Sequence, residues 1–348
     1  MKKKLAIIAV AFVMFSFLMF YKLDSYIMSP GSAYDVSEFV SVQNGDTEDK
    51  GTFNLMTVSM MRATPILYAV AYFKEHQEIM QLNTVRQKEE DDEEYNIRQL
   101  KLMTDSQFNA LYVAFSRAEL DYNITWKGVY VLNVLTGGAA EGIVKAGDEI
   151  IEVNGQRIQK QSELVEVISK AQQDDEVELV INRKNELLTK NVQLKEIPAS
   201  DGRVGLGIMF TESKSIKTDP KVNINAEDIG GPSAGLMFTL EILNQLLDED
   251  LTKGYAVAGT GEMNENGTVG RIGGVERKVV AADRDGMEIF FAPDDEITDE
   301  MRQYNPKIES NYAAAVKTAE EIGTKMKIVP VKTIDDALAY LEALQEKK

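Results

Sequence analysis

The chain has 348 residues, with 56 acidic against 38 basic side chains and a formal net charge of −18. That balance argues against nucleic-acid binding, which needs basic surfaces to neutralise phosphate, and suits solubility at a surface or basic peptide substrates. Cysteine is absent and the one histidine is His76, which excludes a thiol nucleophile, disulfides and thiolate or histidine-rich metal sites; a Ser-His-Asp triad would have to use His76 itself.

Lys2, Lys3 and Lys4 precede an uncharged run from Leu5 to Tyr21, which as a helix spans roughly 26 Å at about 1.5 Å per residue, close to the hydrocarbon thickness of a bilayer. Residues 1–22 are therefore expected to be a retained membrane anchor, with the basic cluster cytoplasmic and everything after Lys22 outside. The competing reading is a cleaved signal peptide. Its nearest small-residue site, Gly31-Ser32-Ala33, lies far behind the apolar run. The remaining length is enough for two or three modest domains.

Between 34 and 120 the spacing predicts a strand at 52–59, an amphipathic helix over 66–82 that carries His76, and a strand at 110–115. The acidic run 89–94 reads as a solvated loop, with a substrate-steering patch as the alternative. From 121 to 197 short β-branched strands at 129–134, 149–153, 177–182 and 190–194 surround one helix near 162–171, with a turn at Asn154-Gly155.

Gly230-Gly231-Pro232-Ser233-Ala234-Gly235 forms a tight turn, and Leu236, Leu240, Leu243 and Leu247 give the spacing of a buried helix that starts near Ser233. A serine there can be an ordinary N-cap. It can also be a nucleophile beside backbone N–H groups that stabilise a developing oxyanion, with Gly231 and Ala234 as supporting residues. The glycine-rich stretch 259–274 lacks the Gly-Lys-Ser/Thr ending of a phosphate loop and contains Asn266-Gly267, a hairpin signal. Over 274–284, Val275, Ala281 and Ala282 share a helical face with Lys278, whereas Glu276, Arg277, Asp283 and Arg284 fall on the other side. Lys278 either snorkels out to water or is desolvated into a neutral amine able to take a proton from a serine. A strand at 287–292, a helix at 313–322, a strand at 327–331 and a helix at 334–344 complete the pattern.

GGPSAG, then Thr260-Gly261-Glu262, then IGGVERKVVAA resemble the proteolytic domain of Lon-type proteases over roughly residues 204–345. The resemblance implies Ser233 as nucleophile, Lys278 as general base and Thr260 as the hydroxyl that orients the lysine. Gly230 stands where ATP-dependent members carry an acidic residue, a departure that bears on regulation of the turn and leaves the dyad intact. WKGVYVLNV followed by AAEGIVKAGDEIIEVNG resembles a PDZ domain, by which Gly128, Val129 and Tyr130 would form the carboxylate loop that receives a peptide terminus; a mere spacer is the alternative.

Lon-type domains carry strand and helix structure well before the serine. The expected fold is therefore α+β behind a transmembrane helix, with the PDZ-like module at 121–197 inserted into a split protease domain. Residues 198–348 supply its larger part, and 34–120 either its N-terminal part or a separate cap. The chain is similar to the membrane-anchored PDZ-plus-Lon proteins of Gram-positive bacteria. That similarity implies a single-pass serine endopeptidase of the cell membrane, with a cytoplasmic N-terminus and an extracellular catalytic domain. It would use no cofactor, ATP or nucleic acid, and would cleave secreted peptides or small membrane-tethered proteins that are unfolded, short or exposed. The competing functions are a catalytically inactive, membrane-tethered peptide-binding scaffold and a secretory chaperone, and Lys278 discriminates, since a scaffold has no use for a lysine on a buried face. Assembly into a homo-oligomer is left open.

Overall fold

The computed structural model describes residues 2–87, 90–198, 200–226, 229–247 and 249–347. It begins with helix α1 (Lys2–Phe20), long and apolar enough to cross a membrane and with none of its residues buried against the rest of the chain. Strands β1 (Ser25–Asp35) and β2 (Thr52–Arg62) then pair antiparallel, with an irregularity between Pro30 and Ala33. Helix α2 (Pro65–Phe73) is started by Thr64, whose side chain accepts from the Leu67 amide, and by proline in its first turn.

The helix expected over 66–82 stops at Phe73. His76, at φ 62, turns the chain into strand β3 (Glu78–Gln81), which pairs with the first part of β1. Ile79 packs there against Ile27, Ala63 and Ala71, so pairing with β1 overrides the helical period.

The strand expected at 110–115 is instead the end of α3 (Asp92–Arg117), a 26-residue helix. Ala110, Val113, Ala114 and Phe115 are all buried in it, and a short apolar run of this kind reads equally well as a strand. The acidic run is likewise no solvated loop. Asp91 and Glu94 form a capping box and Asp92, Glu93 and Glu94 fill the first turn, where the helix dipole favours carboxylates. Glu90 is buried in an ion pair with Arg98 at 2.6 Å; Glu89 lies outside the described residues.

The second sheet follows. It contains β4 (Tyr122–Val134), β5 (Glu149–Val153), β6 (Glu176–Arg183), β7 (Glu186–Gln193) and β8 (Ile208–Thr218), antiparallel in the order β8-β4-β5-β6-β7, with helix α4 (Gln161–Ser169) between β5 and β6 in sequence. Its own core gathers Val129, Val131, Ile150, Leu164, Leu179 and Leu194. The long strand β8 had no counterpart in the sequence pattern.

Helix α5 (Gly235–Leu246), strand β9 (Ala256–Gly259), a hairpin over 262–270, helix α6 (Val275–Arg284), strand β10 (Ile289–Pro293), helix α7 (Asn311–Ile322), strand β11 (Lys327–Val331) and helix α8 (Ile334–Glu342) complete the chain. The first sheet runs β11-β10-β9-β2-β1-β3, with β11, β10, β9 and β2 mutually parallel and β1 antiparallel to both neighbours. Strand β2, from the N-terminal third of the chain, thus lies between β1 and β9. Helix α5 is buried along nearly its whole length, and burial of Leu236, Phe238, Leu240 and Ile242 stabilises it by about 1.5–3 kcal/mol per side chain.

Candidate active site

Three elements converge at the cleft. The turn before α5 carries Ser233, the end of β9 leads into Thr260, and α6 carries Lys278. Gly231 enters this turn at φ 89, a left-handed conformation that favours glycine, and its N–H donates to the Gln99 carbonyl of α3 at 3.0 Å. Ser106, also on α3, donates its hydroxyl to the Pro232 carbonyl at 3.0 Å. The Ser233 carbonyl accepts two bonds, from the Gly261 amide at 2.9 Å and from Thr260 Oγ1 at 3.1 Å. The backbone on both sides of the serine is therefore held in place by hydrogen bonds to α3 and to the Thr260-Gly261 segment.

Helix α6 begins after Gly274, at φ 69, where a Cβ would meet Met28 Sδ at 2.6 Å. One turn on, Lys278 is 2% exposed among Met56, Ala258, Val275, Ala281 and Ala282. Its Nζ lies 2.7 Å from Ser233 Oγ and 2.8 Å from Thr260 Oγ1. Burial alone pulls its pKa down from 10.5 to about 7, so the neutral amine is populated near neutral pH. Ser233 is half-buried and faces a cleft of about 1370 Å³ lined also by Met28, Met56, Met60, Tyr95 and Ile229. Arg271 and Arg284 reach the same cleft, but Arg271 is held by Asp295 at 2.5 Å and Arg284 by Asp285 at 2.9 Å and by the Gly31 carbonyl.

The structure thus brings Ser233, Thr260 and Lys278 together, with Ala234 as the N-cap residue of α5 and Gly231 in the turn. Helix α5 starts two residues after the serine, and the Gly231 amide is spent on Gln99 and cannot point at a substrate oxygen. His76 is exposed and is not among the cleft-lining residues. Gln99 and Ser106 were missed, because nothing in sequence marks a helix on the far side of the chain as the brace of a turn. Glu241 was missed as well. It is 2% exposed in α5, and burial, with help from Asp49 and Asp35, raises its carboxyl to about 7 even though Gln245 donates to it at 2.6 Å.

Gly128, Val129 and Tyr130 do not form a loop. They lie in the middle of β4, with β8 paired on one side and β5 on the other, so their backbone is committed to the sheet and cannot receive a peptide terminus. The edge strands of this sheet are β8 at one end and β7 at the other, and of the two it is β8 that lies beside α4. Helix α4 contacts β8, and Ile208, Phe210 and Val167 are each partly buried against the module's core.

Comparison with known proteins matches two stretches. A PDZ domain family matches residues 85–194, and the C-terminal proteolytic domain of Lon protease (S16) matches residues 221–344. The Lon protease of Malacoplasma penetrans is 31% identical over 153 residues, 41% of this chain and 17% of that protein. The Lon protease of Aster yellows witches'-broom phytoplasma is 29% identical over 111 residues, 32% of this chain and 12% of that protein. The chain therefore spans less than a fifth of either relative. The crystallised PDZ domain of the SdrC-like protein from Listeria innocua is 32% identical, covering 24% of this chain and 92% of that one, with a TM-score of 0.23. The chain accordingly carries a PDZ domain followed by a Lon-type C-terminal proteolytic domain, behind an N-terminal apolar helix.

Proposed function

We propose that the protein is a membrane-anchored, ATP-independent serine endopeptidase that works with a Ser233–Lys278 dyad outside the cytoplasmic membrane. The observation that carries this reading is a lysine 2% exposed whose Nζ lies 2.7 Å from a serine hydroxyl in an open cleft. In the reaction, Ser233 Oγ attacks the scissile carbonyl carbon and its proton passes to the Lys278 amine. The backbone amides of Ser233 and Ala234, at the N-terminal end of α5, receive the oxyanion. The Lys278 ammonium then returns the proton to the leaving amine. A water deprotonated by Lys278 hydrolyses the acyl ester and restores both side chains. Thr260 touches no substrate and acts as a positioning residue.

The rest of the chain sets the substrate. Helix α1 and its three lysines support an anchor with the N-terminus inside. The sequence contains no Gly-Lys-Ser/Thr phosphate loop, so substrates enter short, unfolded or already exposed. The edge of β8 beside α4 takes the capture role expected of Gly128–Tyr130, by adding a peptide strand. The protease fold is split around the PDZ module, a reading supported by the position of β2 between β1 and β9. The test is to incubate the full-length protein in lipid nanodiscs, and its Ser233→Ala variant, with a peptide library read by mass spectrometry. Internal cleavage that disappears in the variant is expected; equal cleavage by both would remove Ser233 from the chemistry.

A further inference from the structure

Helix α2, PILYAVAYF, has no charged or strongly polar side chain and is apolar around its whole circumference. Such a helix is ordinarily buried in a core or in lipid. This one is neither covered nor turned inward. Ala71 is its one fully buried residue, with Leu67 packed on the cluster of Ile27 and Ala63, while Phe73 is 85% exposed, Tyr72 75%, Val70 44% and Tyr68 39%. At 100° per residue, Tyr68, Tyr72, Ala69, Phe73, Ile66 and Val70 sweep out a continuous arc on the side away from Ala71, and every one of them is exposed.

The position of this helix says what covers it. Four residues separate the end of α1 at Phe20 from the start of β1 at Ser25, five steps that reach at most about 18 Å even when extended. The connection is also pinned to the entrance of α2. The Leu23 amide donates to the Ala63 carbonyl at 2.8 Å, Arg62 donates to the Leu23 carbonyl at 3.0 Å, and α2 packs against α1 itself. If α1 spans the bilayer, as the proposed function holds, α2 emerges at the level where that span ends.

We infer that α2 is a second membrane contact, a short helix whose exposed apolar and aromatic face is immersed in the outer leaflet at the acyl–headgroup boundary. Tyrosines are favoured at that depth because the ring is apolar and the hydroxyl stays wet. The chain's net charge of −18 disfavours attraction to anionic headgroups, so immersion is driven by apolar area and does not weaken as salt is raised. The consequence reaches the cleft. Helix α2 contacts β1 and β3, and β1 runs from the membrane exit to the cleft-lining residues Pro30, Gly31 and Ser32. The seven residue-to-residue steps from Ser25 to Ser32 span at most about 23 Å, so two contacts with lipid would hold the cleft near the bilayer and favour bonds in the juxtamembrane stretch of tethered substrates.

The absence of cysteine makes the test direct. Single-cysteine variants Phe73→Cys, Val13→Cys in the middle of α1, and Tyr304→Cys at the exposed end of the short helix Asp299–Tyr304 are labelled with an environment-sensitive nitrobenzoxadiazole dye in full-length protein reconstituted in phosphatidylcholine vesicles. Quenching by doxyl lipids is then read at two depths. The expected result is strong quenching of the Val13 site by deep doxyl groups, of the Phe73 site by shallow ones, and of the Tyr304 site by neither. If Val13 is quenched but Phe73 behaves like Tyr304, the anchor stands and the inference about α2 falls. If neither is quenched, the anchor reading falls and takes the inference with it. A Phe73 signal that is blue-shifted but insensitive to doxyl lipid means that a second copy covers the helix, which also overturns it. As a functional readout, Tyr72→Glu with Phe73→Glu should leave cleavage of a short soluble peptide unchanged and reduce cleavage of a vesicle-tethered peptide about ten-fold or more by lowering its effective concentration; equal loss on both substrates would refute the positioning role.

Discussion

Thr260 donates its hydroxyl proton to the Ser233 carbonyl across 3.1 Å. Because that proton is committed, Oγ1 can only accept from Lys278 Nζ at 2.8 Å, a bond that holds the amine in place 2.7 Å from Ser233 Oγ. Thr260→Val preserves shape and removes both bonds. A lost orienting hydrogen bond costs on the order of 1–3 kcal/mol in the transition state, so kcat should fall about 5- to 150-fold with little change in KM. Unchanged kcat in steady-state assays would reduce Thr260 to a strand-end residue.

Lys278 carries a sign that can be checked twice. Its folded-state pKa is about 7 against 10.5 for the free side chain, lowered by burial. Between those values the unfolded chain binds a proton that the folded chain does not, so stability rises with pH across roughly 7 to 10.5 and the full penalty is present below 7. Lys278→Met should therefore melt higher than the parent at pH 7, by at most about 4 kcal/mol in stability, and the two should converge near pH 10.5. Activity of the parent should climb with pH through about 7, and Lys278→Arg should be inactive throughout because a guanidinium does not deprotonate in this range. A flat pH–rate profile, or an active arginine variant, would contradict the general-base role.

Glu241 works in the opposite direction. Its carboxyl is raised from 4.5 to about 7, mainly by burial, so the folded state holds the extra proton and stability is lost as pH rises through that window. Glu241→Gln can still accept from Gln245 and cannot ionise. It should be more stable than the parent at pH 8, by about 3 kcal/mol at most, and no more stable at pH 4. Urea melts at the two pH values measure this, and an equal difference at both would mean that packing sets it.

Ser233 and Lys278 were legible because their chemistry contradicts the local pattern: a charged residue on an apolar face stands out against its neighbours, and a glycine-proline turn before a helix has few uses. The strands β10 and β11 and helices α5 to α8 were legible for the opposite reason, since local period and buried face agree. The peptide edge was not. A motif places Gly128–Tyr130 in a β module, but which strand keeps a free edge depends on β8 pairing with β4 across some eighty residues, and no local signal carries that. The end of α3 failed because Ala110 to Phe115 is apolar on adjacent faces. The stop of α2 at Phe73 failed because the next apolar residues belong to a strand whose partner lies far back in the chain.

The buried pair Glu90–Arg98 lies next to the cap of α3, the helix that braces the serine turn through Gln99 and Ser106. Glu90→Gln leaves the Arg98 guanidinium without a counter-charge in a largely buried place, which should cost about 3–5 kcal/mol, whereas replacing both with apolar residues should recover much of it. Thermal melts of the single and double variants test this. A single variant as stable as the parent would show that the pair is effectively solvent-screened.

Trp126 and Lys214 are register partners near the base of the β4–β8 ribbon, so the chain enters and leaves the PDZ module at neighbouring points. Deleting 127–213 and joining the two residues with Asn-Gly, a turn suited to antiparallel strands, should yield a protein that unfolds in one cooperative transition. It should cleave a short peptide at the parental rate and lose about 10²- to 10⁴-fold on a full-length substrate that depends on capture at β8. A fragment beginning at Val204 should fail to fold, because it lacks β2 and leaves β9 without one of its two parallel neighbours and the Phe53–Leu55 part of the core. A stable and active 204–348 fragment would refute the split arrangement. A bridged variant that processes the full-length substrate normally would show that the module's free edge takes no part in capturing it.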